Sequence, residues 1–395
     1  MVLELRNNPN EVDPLAAGSP ITTMSSSVFF LVAASQATGK KCSIADDRCL
    51  ETSIIIVNYN AGEKLLRCLS GVMRSAGANS EILLVDNASS DGAADRVESD
   101  FPEVIVIRSE ANLGFGAGCN LGARRARGLY LVFLNPDTIV EAGWLEALVK
   151  PIRTQVGAGL VTAKILLASN SNLINACGNT LHITGIALCR GLGCSRDAFT
   201  EPGEVAAVSG AAFAIRRNLF ELLGGFDEDM FLYMEDTDLS LRARLAGWRC
   251  LYAPDSIVLH DYALKMTPLK VFYQERNRYL MLLKTLRWPT LLVLFPSQML
   301  GELITWGFVL WRDRPNIANK IRAYIWIVRN WGLIMEKRKS TQSARALSDR
   351  QLLINTDSSL GFDQVGAGRI ASVARLVFNP VFFVLRTVTI TLVWW

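Results

Sequence analysis

Asn135-Pro136-Asp137 follows the apolar run Tyr-Leu-Val-Phe-Leu at 130–134. A carboxylate at a strand end can hold Mg2+ or Mn2+ through oxygen while the ion bridges two phosphates. Asn-Pro-Asp is also good turn chemistry, and taken alone the tripeptide reads as a turn. Glu235-Asp236-Thr237-Asp238 sets three acids at the start of a helical pattern. Acids there stabilise a helix N-terminus, a reading that suits Asp238 and Glu235. Asp236 is the candidate general base, taking a proton from an acceptor hydroxyl. His260 shares with His182 the distinction of being a histidine in this chain, and it ends an apolar run. Neutral imidazole can complete a mixed oxygen and nitrogen site, so His260 is the candidate second metal ligand beside Asp137.

A second group of residues suits a nucleotide. Asn58-Tyr59-Asn60 ends one β-branched run, and Tyr59 can stack on a base. Asp86 ends the next run and can accept from a base N–H or a ribose hydroxyl. Asn112-Leu-Gly114-Phe-Gly-Ala-Gly118 is glycine-rich and leads into a helix, where backbone N–H groups can meet phosphate. It lacks the Lys-Ser/Thr of a P-loop. Arg276-Asn277-Arg278 offers guanidinium forks for an acceptor pyrophosphate, with a solvated helix face as the plain alternative. Glu235 stands with them as a possible acceptor-side group.

The elements that must position these residues follow a regular order. Ser53–Val57, Glu81–Val85, Val104–Ile107 and Tyr130–Leu134 read as buried strands. Helical patterns lie between them, near residues 65–73, 91–99 and 116–127. That alternation means βαβ units and a parallel sheet, and such sheets bind ligands at the carboxyl ends of their strands. Asn58, Asp86, Asn112 and Asn135 with Asp137 all fall after strands. The pattern loosens over 151–205, where Ile183–Leu188 suggests part of a hairpin. Val205–Ile215 reads as a strand, its Gly210 marking a close approach to something. Glu235–Ala246 reads as a helix with Gly247 as its C-cap. Cys250–Tyr252 and Ile257–Leu259 read as two short strands.

Composition bounds the class. The chain has 395 residues, 50% hydrophobic and 20% charged, with a mean hydropathy of +0.24. That is too apolar for a disordered chain and supplies ample core. Eight cysteines without a Cys-x-x-Cys pair argue against a zinc ribbon and fit a reducing compartment. The N-terminal sequence does not read as a signal peptide, because the acids upstream of Val28–Ala34 have the wrong sign. Net charge is +4, yet Arg312–Arg350 holds ten Lys and Arg against three acids. Beside an apolar tract, such a segment suits an anionic membrane surface. No nucleic-acid motif accompanies it.

Taken in order, the motifs resemble family 2 glycosyltransferases of the GT-A fold, in particular the bacterial rhamnosyltransferase branch. The matching pieces are Ile-Val-Asn-Tyr-Asn (56–60), Val-Asp-Asn-Ala-Ser-Ser-Asp-Gly (85–92) and Asn-Leu-Gly-Phe-Gly-Ala-Gly-Cys-Asn (112–120). Phe-Leu-Asn-Pro-Asp (133–137), Ser-Gly-Ala-Ala-Phe (209–213) and Gly-Gly-Phe-Asp-Glu (224–228) follow. Tyr-Met-Glu-Asp-Thr-Asp-Leu (233–239) and Arg-Asn-Arg-Tyr-Leu (276–280) complete the series. The resemblance implies an inverting transfer from a nucleoside-diphosphate sugar, with rhamnose from dTDP-rhamnose as donor and a lipid-linked or polysaccharide hydroxyl as acceptor. By that similarity Asp137 ends the family's Asp-x-Asp metal motif, with Asn135 at its first position. Asp236 is then the base and His260 the later metal ligand, while Tyr59 and Asp86 hold base and ribose.

The expected architecture is therefore α/β: a Rossmann-like, mostly parallel sheet flanked by helices, followed by a helical membrane-associated region. Residues 1–50 read as a poorly ordered extension, 51–285 as the catalytic domain and 286–395 as the membrane-associating part. Trp288–Trp311 is long enough to span a bilayer. Pro296, Gly301 and Glu302 suit an interfacial or re-entrant helix equally well. Leu376–Trp395 combines a lipid-compatible composition with strand-like alternation at 387–392. The expected location is the cytoplasmic face of a bacterial membrane. A buried helical domain or a homodimer interface is the alternative for this region. A sugar nucleotidyltransferase would want a basic residue in the loop after the first strand, and Asn58–Gly62 has none. A non-catalytic nucleotide-sugar-binding protein would have little use for Asp137, Asp236 and His260 together.

Overall fold

The computed structural model describes residues 50–262, 268–312, 314–361 and 369–395. The N-terminal extension expected over 1–50 lies almost wholly outside them. The first half alternates as expected. Strand β1 (Thr52–Asn58) leads to helix α1 (Glu63–Ser75), β2 (Ser80–Asp86) to α2 (Ala93–Asp100), and β3 (Ile105–Arg108) to α3 (Phe115–Arg125) and β4 (Tyr130–Leu134). β1 is buried along its whole length, which is why its sequence is a continuous β-branched run rather than an alternation. It pairs in parallel with β2 on one side and β4 on the other. The carboxyl ends of these strands therefore share one edge.

The second half completes the sheet from the other side. It comprises β5 (Thr138–Val140), α4 (Trp144–Thr154), β6 (Ala158–Leu167), β7 (Asn170–Ala176), β8 (Asn179–Leu181), β9 (Ala187–Cys189), β10 (Gly203–Glu204) and β11 (Ala212–Arg216). Helix α5 (Arg217–Leu222), a 3-10 turn at Glu228–Met230, helix α6 (Glu235–Leu245) and strand β12 (Arg249–His260) follow. The sheet order is β10-β12-β6-β11-β4-β1-β2-β3, with β5 on β12 and β7 on β6. β11 runs antiparallel to both β4 and β6, so the sheet is mixed.

Several sequence expectations change here. The loosened stretch contains the ten-residue β6, buried at nine positions; its Gly, Thr, Ala and Lys break the hydrophobic signal without breaking burial. The strand expected over Val205–Ile215 is confined to Ala212–Arg216. The two short strands after Gly247 are one strand, β12, with a register shift between Ala253 and Ile257. The hairpin near 183–188 is β8 paired with β9.

The carboxyl-terminal part is helical: α7 (Pro268–Thr285), α8 (Trp288–Arg312), α9 (Ile317–Arg329), α10 (Trp331–Ser343), α11 (Asp349–Leu353) and α12 (Arg369–Leu392). The alternation at 387–392 is thus not a strand. α12 turns Phe382 into a shared core with Leu294 of α8, Leu282 of α7 and Leu286 just after α7. His182, the other histidine, lies in that region with its ring edge-on to Phe382, 4.5 Å between centroids. Burial lowers its pKa to about 4, so it is a neutral core residue.

Candidate active site

β4 ends at Leu134, and the chain turns through Asn135-Pro136-Asp137 into β5. Thr138 Oγ1 donates to the Asn135 carbonyl at 2.7 Å and fixes the turn. β5 pairs antiparallel with the end of β12, setting His260 opposite Thr138. That pairing brings His260 Nε2 to 3.3 Å from Asp137 Oδ1 and 3.4 Å from Asn135 Nδ2. Residues 123 positions apart thus meet because two strands pair. The other ring nitrogen, Nδ1, lies 3.0 Å from Asn175 Oδ1. With a proton on Nδ1, Asn175 accepts it and leaves the Nε2 lone pair facing Asp137, an orienting role common for ligating histidines. Asn175 is buried on β7, and the sequence reading missed it.

Asp236 reaches the same edge through a different pair of elements. Its Oδ2 accepts from the Gly210 amide at 2.8 Å and from Asn179 Nδ2 at 3.3 Å. Its Oδ1 accepts from the Thr237 amide at 2.6 Å. The next residue after Gly210, Ala211, accepts from the Asn135 amide at 3.0 Å. The Gly210-Ala211 dipeptide therefore ties the base candidate to the metal motif. The close approach expected at Gly210 is real: a Cβ there would stand 3.3 Å from Asp236 Oδ2. Burial raises the Asp236 carboxyl above its ordinary value, opposed by the Gly210 and Thr237 amides.

Glu235 is more deeply buried, and its Oε2 has no hydrogen-bond partner. Burial, and next the Asp236 charge, push its pKa up to about 8. It lies beside the base as a protonated acid at neutral pH, not as an open acceptor-side group. Asp238 is fully buried against Arg242 and Lys284, at 2.7 and 2.8 Å, in keeping with a structural role.

The nucleotide-side residues are knitted together as well. Asn58 is fully buried. Its Nδ2 donates to Asp86 Oδ1 at 3.1 Å and Ser89 Oγ at 2.9 Å. Asn87 Nδ2 donates to Asn112 Oδ1 at 3.0 Å and the Gly114 carbonyl at 3.1 Å. Asn58 and Asn112 thus shape the loops and do not present free side chains. Tyr59 is 53% exposed at the end of β1, open to a stacking partner.

The glycine-rich stretch has a different use from the phosphate cradle expected. The Phe115 amide at the helix start donates to the Phe231 carbonyl at 2.8 Å. A Cβ on Gly114 would fall 2.2 Å from that same carbonyl oxygen. Further along α3, Gly118 and Gly122 let the helix lie against Val57 and Ile55. These glycines serve close packing. Arg276 and Arg278 are likewise engaged within the chain. Arg276 Nη2 donates to the Met230 carbonyl at 2.8 Å, and Arg278 is ion-paired with Glu275 and Glu302 in the interior.

A sequence signature covers the first half of this site. The model of glycosyl transferase family 2 matches residues 53–224. Residues 53–224 are a glycosyltransferase family 2 domain. An N-acetylglucosaminyl-diphospho-decaprenol L-rhamnosyltransferase of Mycobacterium tuberculosis is 29% identical over 232 residues, covering 53% of this chain and 76% of that protein. A poly-beta-1,6-N-acetyl-D-glucosamine synthase of Staphylococcus aureus is 25% identical over 220 residues, 54% of this chain and 51% of that one. Among solved structures, GalNAc-T7 with UDP, GalNAc and Mn2+ matches with a TM-score of 0.51 at 22% identity. That match covers 60% of this chain and 48% of GalNAc-T7, a likeness of fold. The chain thus spans about half the length of the synthase and of GalNAc-T7. The family 2 match stops short of Asp236 and His260, so their placement rests on the geometry above. Among the described residues, no three His, Cys, Asp or Glu side chains form a metal cluster; Asp137 and His260 stand as a pair.

Proposed function

We propose that this glycosyltransferase moves a sugar, with inversion, from a nucleoside-diphosphate donor to a hydroxyl of a lipid-linked or glycan acceptor. L-Rhamnose from dTDP-rhamnose is the donor we favour, because the Mycobacterium tuberculosis relative is named for that sugar. The location that fits such an acceptor is the cytoplasmic face of a bacterial membrane. The observation that carries the reading is the Asp137–His260 pair at 3.3 Å with Asp236 anchored one peptide away through Gly210 and Ala211.

One carboxylate and one imidazole suit Mg2+ or Mn2+. Asp137 and His260 would hold the ion, which would supply Lewis-acid stabilisation of charge on the leaving diphosphate. Asn175 keeps the His260 lone pair turned toward that position. Tyr59 stacks on the nucleobase, and Asp86, steadied by Asn58, accepts from the nucleoside. Asp236 takes the proton of the incoming hydroxyl on the face opposite the leaving group. Burial fits it for the role, since a base works best with a pKa near the working pH. Glu235, keeping its proton, spares Asp236 a second negative charge at its side.

A donor screen by mass spectrometry with membrane lipid extract, with and without EDTA, tests the reading. One nucleotide sugar is expected to yield an extended lipid product, lost in EDTA. Asp236→Asn is expected to bind that donor normally and to lose about 10²–10⁴-fold in turnover. Near-wild-type single-turnover transfer by the variant would remove Asp236 from the role.

A further inference from the structure

The helices after residue 286 carry their apolar surface as outward stripes. On α8, Leu292, Phe295, Met299, Leu303 and Leu310 are exposed. Their spacings of three, four, four and seven put them on one face. On α12, Val377, Val381, Val384 and Val388 are exposed at spacings of four, three and four. The two helices pack on each other, and Trp395 Nε1, beyond the end of α12, donates to Thr290 Oγ1 at the start of α8 at 2.8 Å. They therefore run antiparallel, with the Leu294–Phe382 core between them.

By length and composition Trp288–Leu310 and Ser372–Leu392 could each cross a membrane. The inner face of α8 argues otherwise. Gln298 accepts from Arg278 at 3.0 Å. Gly301 packs on Thr184, where a Cβ would meet its methyl at 3.0 Å. Glu302 accepts from Arg278, Tyr279 and Tyr324 and pairs with Lys320 at 3.2 Å. A spanning α8 would carry this charge cluster, and α7 with it, into hydrocarbon, where ionisable groups are expensive.

Charge points to the occupant of the outer face. Glu302 is the sole charged residue between Trp288 and Leu310, and it faces inward. Exposed Arg287 and Arg314 flank the helix, and exposed Arg322 and Arg329 accompany Ile321, Ile325 and Val328 on α9. The basic segment itself is partly internal: Lys320, Lys337 and Arg345 pair with acids of this chain. What remains outside is an apolar surface rimmed by arginine, suited to insertion among anionic headgroups.

We infer that α8 and α12 lie flat in the interfacial layer of an anionic bilayer, stripes toward the acyl chains, with the catalytic domain held on their inner face. The inference deepens the lipid-linked-acceptor reading and rests on it for its purpose: the active site would work beside the leaflet that holds the acceptor.

The full-length chain tests this with vesicles of phosphatidylcholine alone or mixed with phosphatidylglycerol. Flotation with the anionic vesicles is expected, and its loss in the Leu292→Glu/Leu303→Glu variant at an unchanged Tm. Spin labels on cysteines introduced at 292, 299 and 310, with Cys194 replaced by Ser, are expected to report one shallow depth of about 5–10 Å. Depths passing through the bilayer centre along the helix would overturn the flat arrangement. A wild-type chain that stays with the soluble fraction, as a dimer by light scattering, would overturn the lipid partner in favour of a second copy. Transfer to a short-chain, water-soluble acceptor is measured alongside. Uniform shallow depth without any transfer would sink the acceptor reading while leaving the docking surface standing.

Discussion

Gly210 donates its amide to Asp236 Oδ2 at 2.8 Å, and the space beside it leaves a methyl group only 3.3 Å from that oxygen. Gly210→Ala is therefore expected to push the carboxylate rather than the backbone. The carboxylate has to give by only a few tenths of an ångström, so turnover is expected to fall by less than the about 10²-fold that a 1 Å misplacement costs. Donor affinity and Tm should stay near wild type. Steady-state kinetics with calorimetric donor titration check the split; an equal loss of donor binding would mean that Gly210 serves the nucleotide instead.

Asn175 orients His260 through Nδ1. Removing the amide in Asn175→Ala frees the ring to rotate. Loss of such a partner lowers metal affinity by roughly 10–100-fold. Mn2+ titration followed by electron paramagnetic resonance, with nucleoside diphosphate present, measures it. Unchanged affinity would show that His260 does not ligate through Nε2.

Glu235 makes stability depend on pH with a definite sign. Its carboxyl ionises near 4.5 when unperturbed and near 8 in the folded chain. Between those values the folded state keeps a proton that the unfolded state has released, so this residue's contribution falls as pH rises. Glu235→Gln is expected to match wild-type Tm at pH 4.5 and to exceed it at pH 8. A Tm difference that is the same at both pH values would place an ionised Glu235 in the native state.

The turn before Asp236 is strained and held from one side. Phe231, Tyr233 and Met234 have φ of 58°, 67° and 72°, each costing about 1–3 kcal/mol. Asn277 Nδ2 lies within 3.0 Å of the Met230, Leu232 and Tyr233 carbonyls. Asn277→Asp replaces that donor by an acceptor. We expect a loss of about 1–3 kcal/mol in stability, with turnover falling and the acid limb of the rate profile moving as Asp236 shifts. A stability loss without any change in the pH profile would make Asn277 a packing residue only.

Much of this protein is legible in its sequence. β1, β2 and β4 are buried on both faces, so their sequences are unbroken apolar runs, and the polar residues that end each run must gather on one edge. Asp137 and His260 stand out because ionisable groups at the ends of strands need a reason to be there, and Asp236 stands out among the acids that open α6. The local sequence could not tell how Asn112–Gly118 or Arg276–Arg278 is used. A glycine that admits a phosphate and one that admits Phe231 look alike, as do an arginine for pyrophosphate and one for Glu302. Asn175 and Asn179 carried no signal, because an isolated asparagine is ordinary turn material until the fold sets Asn175 against His260 and Asn179 against Asp236.

What the chain determined alone was the order of its elements and the chemistry available at their ends. These follow from local sterics and from which stretches can be withdrawn from water. Which side chains meet, which acid stays protonated and which face of α8 looks outward were decided only by the tertiary fold. Distance, desolvation and the partner across a packed interface are properties of residues far apart along the chain, and no local pattern encodes them.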